Sequence, residues 1–347
     1  MRGRVAWALL TVALLLVVVE GALRLYTTRE GLLYTWERPD GVVMLDPVTG
    51  AATLRPGAFE HTRDGPYGWA ARINAQGLRM DGDVPVKAPP GTRRWLLLGD
   101  SWAYGVATRQ GAGLAARLSA ALREVSGVDS PVINAGIPGA SAWDVLQRAR
   151  ALHSIEVGGV VVKVSVNHGS AAARRAARAQ AAPPDVRMLL GLRRLVALVR
   201  TRELRVETPD AAVEAEESLR ALVTEARARG RDVVVLVAPV DRAASADVDR
   251  TDAEHARWAR LFAGTEGVRV VAHRLVQRSC FGWVDESHPS ESGAEALARV
   301  VAAAVASGAT SPSSEPSCDA VDAVGPGKAQ AVRPIEPWEL RPGVPRG

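Results

Sequence analysis

Trp95-Leu96-Leu97-Leu98-Gly99-Asp100-Ser101 decides how the chain reads. Four apolar residues in a row end on a glycine and an Asp-Ser pair, and a helical pattern follows near 112–126. A short continuous apolar run bounded by turn residues and followed by a helix reads as a strand buried on both faces. The alternation recurs downstream. Val132-Ile133-Asn134 precedes a helical stretch at 140–153, and Gly159 to Val166 (GVVVKVSV) precedes an Ala/Arg segment and a helix at 186–200. A helix at 211–229 leads into Asp232 to Val237 (DVVVLV), a helix at 251–263 leads into Val268-Arg269-Val270-Val271, and a last helix covers 291–306. Five such strands predict an α/β fold, a flavodoxin-like doubly wound, mostly parallel five-stranded sheet with helices on both faces. Ligands of such sheets bind at the carboxyl ends of the strands, so reactive residues are expected just after them.

Four post-strand positions carry suitable chemistry. Ser101 opens the first helix, where amides stabilise developing negative charge; the competing reading is that Asp100 or Ser101 only caps that helix. Asp285-Glu286-Ser287-His288-Pro289 follows the last strand and precedes the last helix. A serine nucleophile needs a base within hydrogen-bond reach and a carboxylate to fix the tautomer of that base, and an Asp three residues before a His supplies both on one loop. The competing reading is a solvated turn. Gly136 follows the second strand and Asn167 the third. Their amides, with that of Ser101, would form a three-donor oxyanion hole; taken singly, each is equally a turn or cap residue.

This set resembles the SGNH (GDSL-type) hydrolase superfamily. Gly99-Asp100-Ser101-Trp102-Ala103-Tyr104-Gly105 is similar to its first block, Gly136 within NAGIPG to the second, Asn167 to the third and Asp285-x-x-His288-Pro289 to the fifth. The resemblance runs from about residue 73 to 306 and takes in Ile73-Asn74-Ala75-Gln76-Gly77-Leu78-Arg79, similar to membrane-anchored bacterial members. It implies Ser101 as nucleophile, His288 as base and Asp285 as its orienter, with the Ser101 amide, Gly136 and Asn167 holding the oxyanion. The implied chemistry is ester hydrolysis or O-acyl transfer, acetylesterase-like, on glycan, lipid or small esters without a metal or other cofactor. One departure stands out. The third block usually reads Gly-x-Asn-Asp, and here it is Ser165-Val166-Asn167-His168, which puts a second titrating group beside the site.

Other catalytic signatures fit less well. GDSWA lacks the final Gly of a G-x-S-x-G elbow. Gly111-Ala112-Gly113 does not directly follow a strand, as a dinucleotide fingerprint requires. There is no Walker sequence or H-E-x-x-H, and the six histidines show no metal-ligand spacing.

Toward the N-terminus, Arg2 and Arg4 precede an apolar run from Val5 to Val19, followed by Glu20. A basic start and an apolar core mark a targeting element. No small-x-small cleavage site follows directly, which favours an uncleaved signal anchor at 1–26, a transmembrane helix whose arginines stay cytoplasmic. The rest would then be extracytoplasmic, on the periplasmic face of a bacterial inner membrane or elsewhere in the envelope. Residues 27–92, rich in Gly, Pro and Arg, read as a stalk and an irregular lead-in that packs on the domain, 93–308 as the hydrolase-like domain, and 309–347, with seven of the 21 prolines, as a disordered tail. Cys280 and Cys318 are the two cysteines; export permits their pairing without requiring it.

Only three of the 43 basic residues are lysine (Lys87, Lys163, Lys328), and the net charge is +5 over 347 residues. That bias reads as coding composition, and no nucleic-acid partner follows from it. Residues 171–205 concentrate nine arginines, either a solvated helix face or an insertion over the site that meets anionic headgroups. Trp102, Trp143 and Trp283 fall near the site loops and, with His168, are the candidate substrate contacts, with core packing as the alternative for at least one tryptophan. Two functions are expected from different classes: a serine esterase or O-acyltransferase acting on ester-bearing envelope material, or a catalytically degenerate module that binds envelope glycan or a protein partner.

Overall fold

The computed structural model describes residues 42–61, 69–106, 108–164, 209–238, 248–272, 282 and 288–307, with residues 4, 7 and 10–21 near the N-terminus. Two antiparallel hairpins come first. β1 (Val43–Leu45) pairs with β2 (Ala52–Leu54), and β3 (Gly57–His61) with β4 (Trp69–Ile73). These are elements that the irregular reading of 27–92 did not contain. The first turn forms because Asp46 Oδ1 accepts from the amides of Val48 (3.0 Å) and Thr49 (2.7 Å), and Gly50, at φ +70°, closes it.

The hairpins pack on the domain. Val42, Ala52, Leu54, Ala71 and Ile73 bury their side chains against Tyr104, Val106 and Ile137, directly behind the turn that follows Ser101. Polar contacts hold the same seam. The Ala52 amide donates to Asp144 Oδ1 at 2.8 Å, and Arg148 Nη2 donates to the carbonyls of Gln76 (3.0 Å) and Gly77 (2.5 Å). Burial pushes the Arg148 guanidinium down to about 10, so it stays charged at neutral pH.

The central sheet follows. Its elements are β5 (Trp95–Leu98), α1 (Ser101–Tyr104), α2 (Leu114–Ser126), β6 (Val132–Asn134), α3 (Ala142–Ala151), β7 (Gly159–Val164), α4 (Pro209–Ala228), β8 (Asp232–Val237), α5 (Val248–Leu261), β9 (Val268–Ala272) and α6 (Glu291–Ser307). All five strands are parallel, in the order β6-β5-β7-β8-β9, which is the expected flavodoxin-like winding. Side chains alternate between two layers. Trp95, Leu97, Val161, Val234, Leu236 and Val271 face α2 and α6, while Leu96, Leu98, Val160, Val162, Val233 and Val235 face α3, α4 and α5. Burial on both faces is why these strands read as unbroken β-branched runs rather than as alternating ones.

The helix expected at 186–200, the Arg-rich stretch at 171–205 and the tail at 309–347 lie outside the described residues. Residues 10–21 are helical, with Leu14, Leu15, Val17 and Val18 exposed. Among the described residues no helix is long and apolar enough to cross a membrane.

Candidate active site

β5 ends at Leu98 and the chain turns through Gly99, whose φ of +147° few side chains tolerate. A Cβ there would lie 3.0 Å from the Cβ atoms of both Ala103 and Lys163, so the glycine lets the strand exit pass against β7. Asp100 caps α1, its Oδ1 accepting from the Trp102 amide at 3.0 Å. Ser101 is therefore the first residue of the helix, half-buried, at the carboxyl edge of the sheet.

The second oxygen of Asp100 accepts a 2.7 Å bond from Lys163 Nζ. Lys163 reaches up from β7 with its side chain fully buried, and its ammonium stands 4.7 Å from the centre of the Trp102 ring. Burial pushes the Asp100 carboxyl up, but the Lys163 charge and hydrogen bond, the Trp102 amide and the more distant His288 outweigh it and hold the group below the usual carboxylate range. Burial pulls the Lys163 ammonium down, against the support of Asp100.

His288 enters from the other side of the sheet edge. It is buried, precedes Pro289, and runs into α6, which Ser290 caps by accepting from the Gly293 amide. The Ser290 amide donates to the Gly282 carbonyl at 2.8 Å. A second tie crosses to the Ser101 side, where Arg109 donates through Nε and Nη2 to the two carboxylate oxygens of Glu291, each at 2.8 Å. Ser101 and His288 are thus brought to one region, close enough for the imidazole to bear on Asp100.

Gly136 is nearby, at the exit of β6. Its amide already donates to Asn134 Oδ1 at 3.1 Å, and the residue is buried. A Cβ would lie 2.2 Å from the Tyr104 nitrogen and 2.4 Å from the Ala103 carbonyl carbon, so its glycine identity serves the contact between the β6 exit and α1. On the same loop Gly139 is exposed, with φ +68°. Trp102, a candidate substrate contact, is placed in the core. It is 2% exposed and packed in the core against Lys163, so its ring is not an open stacking surface. Trp143, half-buried in the first turn of α3, keeps its candidacy. Asn167, His168, Trp283 and Asp285, and both cysteines, lie outside the described residues.

Two contributors escaped the sequence reading. Lys163 was visible as a charge inside an otherwise apolar strand, four residues before Asn167. Arg79, last of the Ile73–Arg79 lead-in, donates to the carbonyls of Tyr104 (2.9 Å), Gly105 and Thr108 (2.6 Å), bracing the turn that ends α1. Burial lowers its guanidinium, with Tyr104 opposing. Nothing in its spacing showed that destination.

A parallel sheet in this strand order, with a serine at the exit of its first strand and a histidine before its last helix, defines a doubly wound α/β protein. The GDSL-like lipase/acylhydrolase family model matches residues 97–296, 200 of the 347, and the chain belongs to that family, within the SGNH superfamily. Similar solved structures include an esterase from Pseudoalteromonas sp. inhibited by monoethylphosphonate (17% identity, 60% of this chain and 92% of that one, TM-score 0.40). They also include a catalytic mutant of an acetylxylan esterase from Geobacillus stearothermophilus (19% identity, 60% and 91%, TM-score 0.40) and a lipolytic protein of the G-D-S-L family from Veillonella parvula (13% identity, 60% and 94%, TM-score 0.37). No curated protein matches the chain.

Proposed function

We propose that the protein is a serine-dependent ester hydrolase or O-acyltransferase in which Ser101 attacks the acyl carbon, His288 takes the serine proton, and Asp285 orients the imidazole. The observation that carries this reading is the convergence of Ser101, at the head of α1, and buried His288, at the entry to α6, on one carboxyl edge of the sheet. In the first step the Ser101 Oγ–C bond forms as His288 accepts the hydroxyl proton. Collapse of the tetrahedral intermediate returns that proton to the leaving alkoxide. Water or an acceptor hydroxyl then takes the acyl group by the reverse sequence. The Ser101 amide and Asn167 serve as oxyanion donors.

The substrate class in this reading is an ester of the cell envelope. Supporting it, residues 10–21 are helical and carry exposed apolar side chains behind Arg2 and Arg4, the arrangement of a signal anchor that holds the domain at an extracytoplasmic membrane face. Labelling by a fluorophosphonate probe and turnover of p-nitrophenyl acetate test the chemistry. Both are expected in the wild type and absent in Ser101→Ala. Equal turnover in the two would overturn the serine mechanism, and folded protein that takes no label would favour the binding-module reading. Fractionation with and without residues 1–26 tests the anchor, with release from membranes expected on deletion.

A further inference from the structure

We propose that Lys163 is a positioning residue of the reaction, gripping the two residues that flank Ser101 and cancelling the charge of the carboxylate beside it. The inference rests on Ser101 being the nucleophile.

The geometry is specific to that serine. Lys163 Nζ bonds Asp100 Oδ2 at 2.7 Å and stands 4.7 Å from the Trp102 ring centre, so one ammonium holds the residue before Ser101 and the residue after it. Asp100 is fixed at both oxygens, Oδ1 on the Trp102 amide and Oδ2 on Lys163, which removes its rotational freedom. Backbone packing sets the height of the pair, since Gly99 passes within contact of Lys163 Cβ and its carbonyl oxygen. Stability alone does not account for such a pair. Desolvating two charges consumes most of what their attraction returns, and well-packed apolar residues of similar volume commonly do as well or better. What an apolar pair would not do is hold the cap of α1 in one orientation at the mouth of the site. Nor would it neutralise Asp100. A lone carboxylate next to the Ser101 amide opposes an oxyanion forming there, and it stabilises a proton on nearby His288.

The charges that bear on Asp100 are Lys163 and His288, and Glu291 lies three residues beyond His288. Lys163 comes from β7, and Glu291 from the first turn of α6 is itself tied to Arg109 and Arg117. Asp285 and His168 are common to every variant below.

Steady-state hydrolysis of p-nitrophenyl acetate over pH 5–9 by the full chain tests the proposal in Lys163→Met, the double variant Asp100→Asn/Lys163→Met, and Ser101→Ala. Lys163→Met is expected to lower kcat roughly ten- to a hundredfold with KM little changed, as a misplaced nucleophile does. It should also move the acid limb of kcat/KM up by about one pH unit. That sign holds whether the extra proton sits on His288 or on Asp100, because the pair titrates as one unit. The double variant has no lone carboxylate, so its limb should return to the wild-type position while kcat stays below wild type. A limb that stays displaced in the double variant would overturn the charge-cancelling role. Wild-type kcat in either Lys163 variant would overturn the positioning role. Should Lys163→Met fail to fold, the kcat of the double variant, which buries no unpaired charge, decides. Wild-type turnover by Ser101→Ala would instead remove the serine mechanism on which the inference stands.

Discussion

Arg79 Nη1 lies 2.9 Å from the carbonyl oxygen of Tyr104, joining the segment ahead of the sheet to the last residue of the helix that presents Ser101. The same guanidinium serves Gly105 and Thr108, and it stacks over the Tyr104 ring at 4.8 Å. Three carbonyls of one turn thus share a single buried cation. The Ile73–Arg79 lead-in is part of the site scaffold.

Replacing Arg79 with Met should strip the Thr108 carbonyl of its guanidinium donor, while the Tyr104 carbonyl keeps the Asn134 side-chain amide and the Gly105 carbonyl keeps the Thr108 hydroxyl and amide. At about 1–3 kcal/mol for one buried group left unsatisfied, the expected loss is about 1–3 kcal/mol. Arg79→Lys should recover only part of it, because an ammonium on a flexible stem cannot reproduce the planar fork. Urea unfolding followed by tryptophan fluorescence measures both. A Met variant within 0.5 kcal/mol of wild type, as an order-of-magnitude threshold for surface substitutions, would show that the turn stands without Arg79.

Glu291 gives a pH dependence of defined sign. The hydrogen bond from Arg109 lowers its carboxyl pKa, burial opposes, and the charges of Arg109 and Arg117 add to the lowering. A folded-state pKa below the unfolded value means stability that is fully present above the unfolded pKa and lost as pH falls through the folded one. Glu291→Gln should therefore flatten the acid side of the Tm–pH curve below about pH 5. At neutral pH the loss should be at most about 1 kcal/mol, because Arg109 is 60% exposed and the pair is partly solvated. An unchanged acid limb would remove Glu291 as its source.

How much of this was legible in the sequence follows from what kind of contact each residue makes. Strands such as Gly159–Val164 and Asp232–Val237 are buried on both faces, so burial itself writes the β-branched run that betrays them. β1 and β2, at three residues each, are too short to carry a period, and they are fixed by partners far along the chain, such as Asp144 under Ala52. Ser101 and His288 stood out in the sequence because they sit at a strand exit and a helix entry, positions where the fold class places ligands. Gly136 shows the reverse. A glycine after a strand offers an amide, but whether that amide is engaged depends on the Asn134 rotamer two residues back. Lys163 carries the largest surprise: one lysine in an apolar strand gives no hint from sequence that its partner lies 63 residues earlier.

Gly136→Ala is expected to be severely destabilising. The added Cβ meets backbone atoms of α1 at 2.2 and 2.4 Å, and backbone cannot step aside as a flexible side chain can. Overpacking of a tight core contact costs about 1–3 kcal/mol, occasionally more, and this site belongs at the upper end. Thermal unfolding of the purified variant, or its loss from the soluble fraction, reads the effect. A normally folded Gly136→Ala would mean that the β6 exit and α1 are further apart than described.

Trp102 and Trp143 should respond to truncation in opposite ways, because they occupy different environments on the same edge of the sheet. Trp102 is 2% exposed and contributes to the core shared with Leu114, Leu118 and Leu297. Its change to Ala removes a large buried ring and leaves a cavity, which costs about 3–5 kcal/mol, and it also strips Lys163 of the face it stands against. Lower activity there would follow from the damaged fold and should appear chiefly in kcat and in Tm. Trp143 is half-buried at the start of α3, so Trp143→Ala should cost about 1 kcal/mol of burial. If its ring contacts the acyl or sugar part of the ester, KM should rise several-fold with kcat unchanged, the pattern of lost uniform binding. Measuring kcat, KM and Tm together on the two variants separates these outcomes. A rise in KM confined to Trp102→Ala would reverse the assignment, making the buried indole the substrate contact and Trp143 a bystander.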